Sequence, residues 1–378
     1  MADLFSRASI CACALASAAC SGQTNTVGPS DAGPADSHMD VPAVDAAPDQ
    51  AAADSSFDAG GPVNVALVVE QSAKSGTMSF TLPVQVGTSP LDTLFDTGSS
   101  GLRVVQGAVP DSAFASITTT QVTYSYHSGV LITGVVATAT LGIGPLRTPA
   151  PIPVMLVQTA TCTSSSCGGL GALPLSEAFG SIGAILGVGM RCKVGGGEVG
   201  SPIAQLEGTP SFVVKAPSYG GTQAMLELFP AASEIAGLKT LQLPPLSDGA
   251  ALANGTPAFD DRYGLPACLD DLTSGVDYCV PAELDTGNGP TYIEWPAHGD
   301  AGNTELPTGE SVQVQIGPAD AGLEQYSFTV GTTPTPGIDE VLVESASGEG
   351  FMNLGTAVFL RYDVYFEPRS GVVGFGPH

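Results

Sequence analysis

Two short segments constrain this chain more than anything else in it. Leu94-Phe95-Asp96-Thr97-Gly98-Ser99-Ser100 and Leu284-Asp285-Thr286-Gly287-Asn288 each set an Asp-Thr-Gly behind apolar residues that read as the end of a buried strand. One such tripeptide is a weak signal in a chain rich in Asp, Thr and Gly. Two copies behind apolar runs, 189 residues apart, are a stronger one, because that separation is about one lobe of a two-lobed molecule. Glycine after Asp-Thr permits the tight turn that aims both carboxylates at one spot. Two aspartates in contact cannot both ionise, so they share one proton. The charged member can then draw a proton from water while the neutral member donates one to a carbonyl. That is acid–base amide hydrolysis with no metal, no cofactor and no covalent intermediate.

The remaining residues must build the scaffold that brings such segments together. Only 13% of the 378 residues are charged, and 48 Gly and 30 Pro punctuate apolar, β-branched runs. That balance suits strands and turns rather than helical bundles. A net charge of −26, from 37 acidic and 11 basic residues, excludes a nucleic-acid surface and docking onto anionic lipid by charge. Strands are predicted over 63–70, 78–86, 91–95, 121–126, 130–141, 182–189, 211–215, 224–229, 240–243, 280–284, 311–317, 326–330, 351–366 and 371–375, with a Pro-rich, Cys-bearing loop running to about 175. The hairpin 121–141 turns at His127-Ser128-Gly129.

Residues 1–20 read as a signal peptide: Arg7, a short apolar run, then a lipobox-like Ser17-Ala18-Ala19-Cys20. Cys20 is the candidate lipidation site; an ordinary secreted leader is the alternative. Residues 21–61 are Ala, Asp, Pro, Ser and Gly without Lys or Arg, the composition of a disordered acidic linker. An N-terminal lobe over 62–217 and a C-terminal lobe over 218–378 follow, each with one Asp-Thr-Gly. Beyond the leader five cysteines remain, which fits an oxidising, extracytoplasmic setting. Pairing Cys162 with Cys167 and Cys268 with Cys279 closes two small loops and leaves Cys192 over; connectivity is not fixed by sequence alone.

Taken together these residues resemble the pepsin-like aspartic peptidases. Phe95 to Ser100 resembles that family's first active-site motif and Leu284 to Gly287 its second. Ile185-Leu186-Gly187 and Asn353-Leu354-Gly355 are similar to its two apolar-apolar-Gly braces. The stretch from Phe359 to Phe375 resembles its C-terminal run. The likeness covers about 62–378, and the Asp-Thr-Gly-Ser-Ser-Gly-Leu-Arg form resembles a divergent bacterial branch. It implies an all-β, bilobal double barrel with an internal two-fold duplication, Asp96 and Asp285 as the catalytic pair, and Thr97 and Thr286 bonded across the lobes. Gly98 and Gly287 would complete the turns, with Ser99 and Asn288 beside the outer carboxylate oxygens. Tyr126 would be the flap tyrosine, with Tyr124 as competitor. Two positions depart from the pattern: Asn288 stands where Thr or Ser is usual, and Arg103 where a tryptophan supports the flap.

The resulting expectation is an exported, monomeric endopeptidase acting on extended polypeptide, without nucleic acid, metal or cofactor, and touching a membrane only through a lipid on Cys20. A non-catalytic, surface-anchored protein binding peptide or polymer on the same scaffold is one alternative, and a different hydrolase on the same fold is another.

Overall fold

The computed structural model describes residues 61–71, 77–164, 167, 169–192, 199–217, 221–295, 304–320, 322–331, 338–344 and 350–378. The signal peptide, Cys20 and the linker up to residue 60 lie outside them. Strands dominate the described residues, and helix is confined to single turns. In chain order the strands are β1 (Val63–Gln71), β2 (Met78–Val86), β3 (Ser89–Asp96), β4 (Ser100–Val105), β5 (Ser116–Ser125), β6 (Val130–Ala139), β7 (Leu141–Ile143), β8 (Leu146–Arg147), β9 (Ile152–Cys162), β10 (Gly171–Leu173), β11 (Ala184–Val188) and β12 (Phe212–Lys215). They continue as β13 (Gln223–Leu228), β14 (Lys239–Gln242), β15 (Leu265–Asp271), β16 (Val276–Glu283), β17 (Thr291–Glu294), β18 (Thr304–Glu305), β19 (Ser311–Ile316), β20 (Glu324–Thr329), β21 (Val341–Glu344), β22 (Phe351–Asn353), β23 (Tyr362–Glu367) and β24 (Val372–Pro377).

These form two sheets. The larger runs β14-β24-β23-β12-β13-β1-β2-β3-β11-β4-β9-β6-β5, with β7, β8 and β10 attached at its side; the smaller runs β18-β21-β17-β22-β16-β15-β19-β20. The larger sheet takes chain from both sides of residue 217, because β13, β14, β23 and β24 all join it. One five-strand order occurs in each sheet. β2-β3-β11-β4-β9 surrounds the first Asp-Thr-Gly, and β15-β16-β22-β17-β21 surrounds the second. In each, a later strand inserts between the two that flank the motif, parallel to the first and antiparallel to the second.

The strand carrying Asp96 is buried on both faces. Phe95 and Leu186 enter the main core, whereas Leu94 and Ile185 enter a second cluster with Tyr126, Ile132, Met155 and Phe179. Parallel pairing sets Leu94 against Ile185, Phe95 against Leu186 and Asp96 against Gly187. Burying those four apolar side chains contributes about 6–12 kcal/mol gross, at about 1.5–3 each. The strand end is therefore held far more firmly than an ordinary loop.

Several strands are not among those expected from sequence, including β4, β17, β21 and β15, which lies where a Cys268–Cys279 loop was expected; two further stretches differ in kind. The supposed loop before residue 175 contains β9, an eleven-residue strand between β4 and β6. Pro151 and Pro153 argue against a central strand by composition, yet Pro153 pairs only with Thr138, outside the part of β9 that meets β4. The run 351–366 is not one strand. Gly355 takes φ +58, and Thr356 donates its N–H to Asn288 O at 2.8 Å and its hydroxyl to Gly289 O at 3.1 Å. The chain thus turns to pack on the loop after the second Asp-Thr-Gly before β23 begins. Cys162–Cys167 and Cys268–Cys279 are disulfides, the latter joining directly opposed residues of β15 and β16. Cys192 belongs to neither.

Candidate active site

β3 and β16 deliver the two Asp-Thr-Gly turns to one place, where Asp96 and Asp285 are fully buried. The turns are tied reciprocally. Thr97 N–H donates to Thr286 Oγ1 at 3.1 Å, and Thr286 N–H donates to Thr97 Oγ1 at 2.9 Å. Each hydroxyl then donates to the carbonyl before the opposite aspartate, Thr97 to Leu284 O and Thr286 to Phe95 O, both at 2.8 Å. Each threonine thus serves as acceptor and donor across the junction, which no side chain without both functions can do.

The carboxylates are held in matching ways. Asp96 Oδ1 accepts from Gly98 N at 2.9 Å, and Asp285 Oδ1 from Gly287 N at 2.8 Å. Asp96 Oδ2 accepts from the Ser99 hydroxyl at 2.5 Å. Asp285 Oδ2 accepts from Asn353 Nδ2 at 2.7 Å, and here the expected symmetry breaks. Asn288 does not sit beside the carboxylate: its amide donates to Pro290 O at 2.8 Å and Asn353 Oδ1 at 3.2 Å. The residue after Gly287 turns away because Gly289 and Pro290 redirect the chain, and β22 supplies the missing donor.

The two acids are close neighbours: each enters the other's electrostatics, and a Cβ placed on Gly98 would lie 2.3 Å from Asp285 Cγ. Burial raises the pKa of both. For Asp96 the rise is opposed by Ser99, the Arg103 charge and the Asp285 carboxyl. Asp285 is pushed well above the ordinary range by burial, then by the charges of Asp96 and Glu283. Ser99 and Arg103 favour negative charge on Asp96, whereas the acidic neighbours of Asp285 favour a proton there. Replacing Gly98 with alanine is expected to force the turns apart. Circular dichroism should retain the strand signal, while the titration of the pair collapses into two independent carboxyls.

Arg103 is 2% exposed yet donates to Ser99 Oγ at 3.1 Å and to Ser100 O at 2.8 Å, which makes a chain Arg103–Ser99–Asp96. Its guanidinium lies 3.5 Å from the Tyr124 ring centre, a cation–π contact where the resemblance places a tryptophan. Tyr126 packs edge-on against Tyr124, is itself buried, and has its hydroxyl pKa raised by burial and by both aspartates.

The turn after Tyr126 closes through Gly129, at φ +83, whose N–H donates to Tyr126 O at 2.9 Å. At its tip His127 crosses to the smaller sheet: Nδ1 is 3.8 Å from Glu294, Nε2 is 3.5 Å from Glu344, and the ring meets Tyr292 at 4.3 Å. Burial lowers the His127 pKa, Glu344 opposes that, and Arg262 reinforces it. Tyr292 in turn donates its hydroxyl to Glu344.

Behind the pair lies a charged layer, with Glu283 buried and Arg191 and Asp261 partly buried, that was not anticipated from sequence. Arg191 binds Asp261 at 2.8 Å and donates to Gly98 O at 2.8 Å, and it approaches Glu283 at 3.5 Å. Glu283 accepts from Asn353 at 2.9 Å, and burial pushes its carboxyl up to about 7. A signal for Glu283 did exist: it precedes Asp285 by two residues, and alternate residues of a strand share a face. Among the described residues no group of three or more His, Cys, Asp or Glu is placed to hold a metal ion, and no helix is long and apolar enough to cross a membrane. No protein-family model matches the chain, and no curated protein matches it.

Proposed function

We propose that this protein is an exported aspartic endopeptidase of pepsin-like architecture, hydrolysing peptide bonds through Asp96 and Asp285. What carries the proposal is the pairing of two fully buried aspartates on loops locked together by reciprocal threonine hydrogen bonds. The shared five-strand order around the two motifs supports a two-fold duplication. In the first step ionised Asp96 takes a proton from water, the water oxygen bonds to the scissile carbonyl carbon, and Asp285 gives its proton to the carbonyl oxygen. Collapse of the tetrahedral diol then breaks the C–N bond. The proton held by Asp96 goes to the leaving nitrogen, and a diol hydroxyl returns one to Asp285. No side chain forms a covalent intermediate. The substrate lies extended beneath the 126–130 turn, with Tyr126 and the Arg103-supported Tyr124 on one side. Export through the leader, with anchoring by a lipid on Cys20, completes the proposal.

Incubating the mature protein with unfolded polypeptide between pH 3 and 7 tests it. Cleavage is expected on the acidic side of neutrality, with a loss of about 10³-fold or more in Asp96→Asn. Cleavage that survives this substitution removes the mechanism. A folded wild-type protein that cleaves nothing across the range favours a binding role instead.

A further inference from the structure

Glu283 is a buried carboxylate for which the proposed chemistry has no use. It ends β16 with 1% exposure, and burying an ionisable group there costs stability that an apolar residue would not. One amide connects it to the acid pair. Asn353 Nδ2 donates to Glu283 Oε1 at 2.9 Å and to Asp285 Oδ2 at 2.7 Å. That orientation is fixed, because Asn353 Oδ1 accepts from Gly355 N at 2.9 Å and from Asn288 Nδ2 at 3.2 Å. Both hydrogens of the amide are therefore committed, one to each carboxylate. On the other side Arg191 reaches Glu283 and, with the same nitrogen, the carbonyl of Gly98 in the first aspartate's turn. Glu283 is thus wired to both halves of the site.

We propose that Glu283 is a positioning residue for the Asp96–Asp285 pair: it holds Asn353 against Asp285 and, once ionised, its charge keeps a proton on Asp285; its relevance to turnover rests on the peptidase reading above. Charged groups from several elements face it. Arg191 and Arg262 attract its negative form, whereas Asp261, Asp96 and Asp285 repel it. Below neutrality Glu283 is uncharged and is simply a hydrogen-bonded anchor for Asn353. As it ionises near pH 7, its charge opposes loss of the proton from Asp285. The effect is one-sided: the alkaline limit of the proton-sharing state moves upward, and the acidic limit does not move.

Titrating the full mature chain with ¹³C-carboxyl-labelled Asp and Glu by NMR reads this without requiring turnover. In the wild type, the Asp285 carboxyl signal, assigned with Asp285→Asn, is expected to show an inflection at the pH where Glu283 titrates. In Glu283→Gln that inflection should vanish, and the Asp285 midpoint should fall by about one pH unit, the size of a near-neighbour charge effect. The acidic step of the pair should stay in place. Where cleavage is measurable, the alkaline limb of its pH profile should move down by the same amount. No Asp285 inflection in the wild type, or an unmoved Asp285 midpoint in folded Glu283→Gln, overturns the proposal. A coupled titration in a protein that cleaves nothing overturns the peptidase reading and leaves this coupling standing.

Discussion

Raising the pH through the window from 4.5, the ordinary glutamate value, to beyond 7 is expected to weaken the folded state by about 3 kcal/mol through Glu283 alone. The buried carboxyl keeps its proton to about 7 in the folded chain, while the unfolded chain releases it near 4.5. Inside that window the folded state binds the extra proton, so the free energy of unfolding falls as pH rises. Asp96, Asp285 and Asp261 are shifted in the same direction by burial, and each adds to the loss. The net charge of −26 at neutrality adds self-repulsion of the same sign. His127 works against this: its lowered pKa favours the folded state once the unfolded imidazole loses its proton, but it is one group against four. Urea unfolding at pH 4.5 and 7.5 measures the difference, and Glu283→Gln should flatten the slope. A stability that rises over this interval would contradict the buried acid layer as described.

The threonine lock should carry the other large effect. Thr97→Val keeps the shape of the side chain but leaves the Thr286 N–H and Leu284 O without their partners, deep in the molecule. At about 1–3 kcal/mol for each of the two orphaned buried groups, the expected loss is about 2–6 kcal/mol. Thr286→Val should cost a similar amount by orphaning the Thr97 N–H and Phe95 O. The two substitutions strike one network, so the double variant should lose clearly less than the sum. Thr97→Ser, which keeps the hydroxyl, should recover most of the stability. Denaturant midpoints for the four proteins decide the matter: additive losses, or single losses below about 0.5 kcal/mol as at surface sites, would mean that the turns do not brace one another.

Much of this site was open to reading before any coordinates. The Asp-Thr-Gly turns, the glycines inside them, Ser99 and the apolar-apolar-Gly strands are local patterns, and each performs its work within a few residues of chain. Short spacing suggested both disulfides without fixing them, and the all-β character follows from composition. Asn353 shows where local reading stops. Its neighbours Leu354 and Gly355 announce a brace, but nothing in the motif says that the asparagine, rather than Asn288, reaches Asp285. That choice depends on β22 threading between β16 and β17, with Asn353 placed opposite Glu283 and Tyr292.

The same division runs through the whole molecule. Sequence alone determined that the chain is built of strands and that two aspartates occupy equivalent turns. Tertiary structure alone decided that β9 runs through the larger sheet despite its prolines, and that Arg103 lies buried beneath Tyr124. It also decided that Glu283, Arg191 and Asp261 form a charged layer behind the acid pair. The physical reason is range. Turn chemistry and strand patterning act over two to seven residues, whereas a buried charge is tolerated only where distant segments converge to bond it.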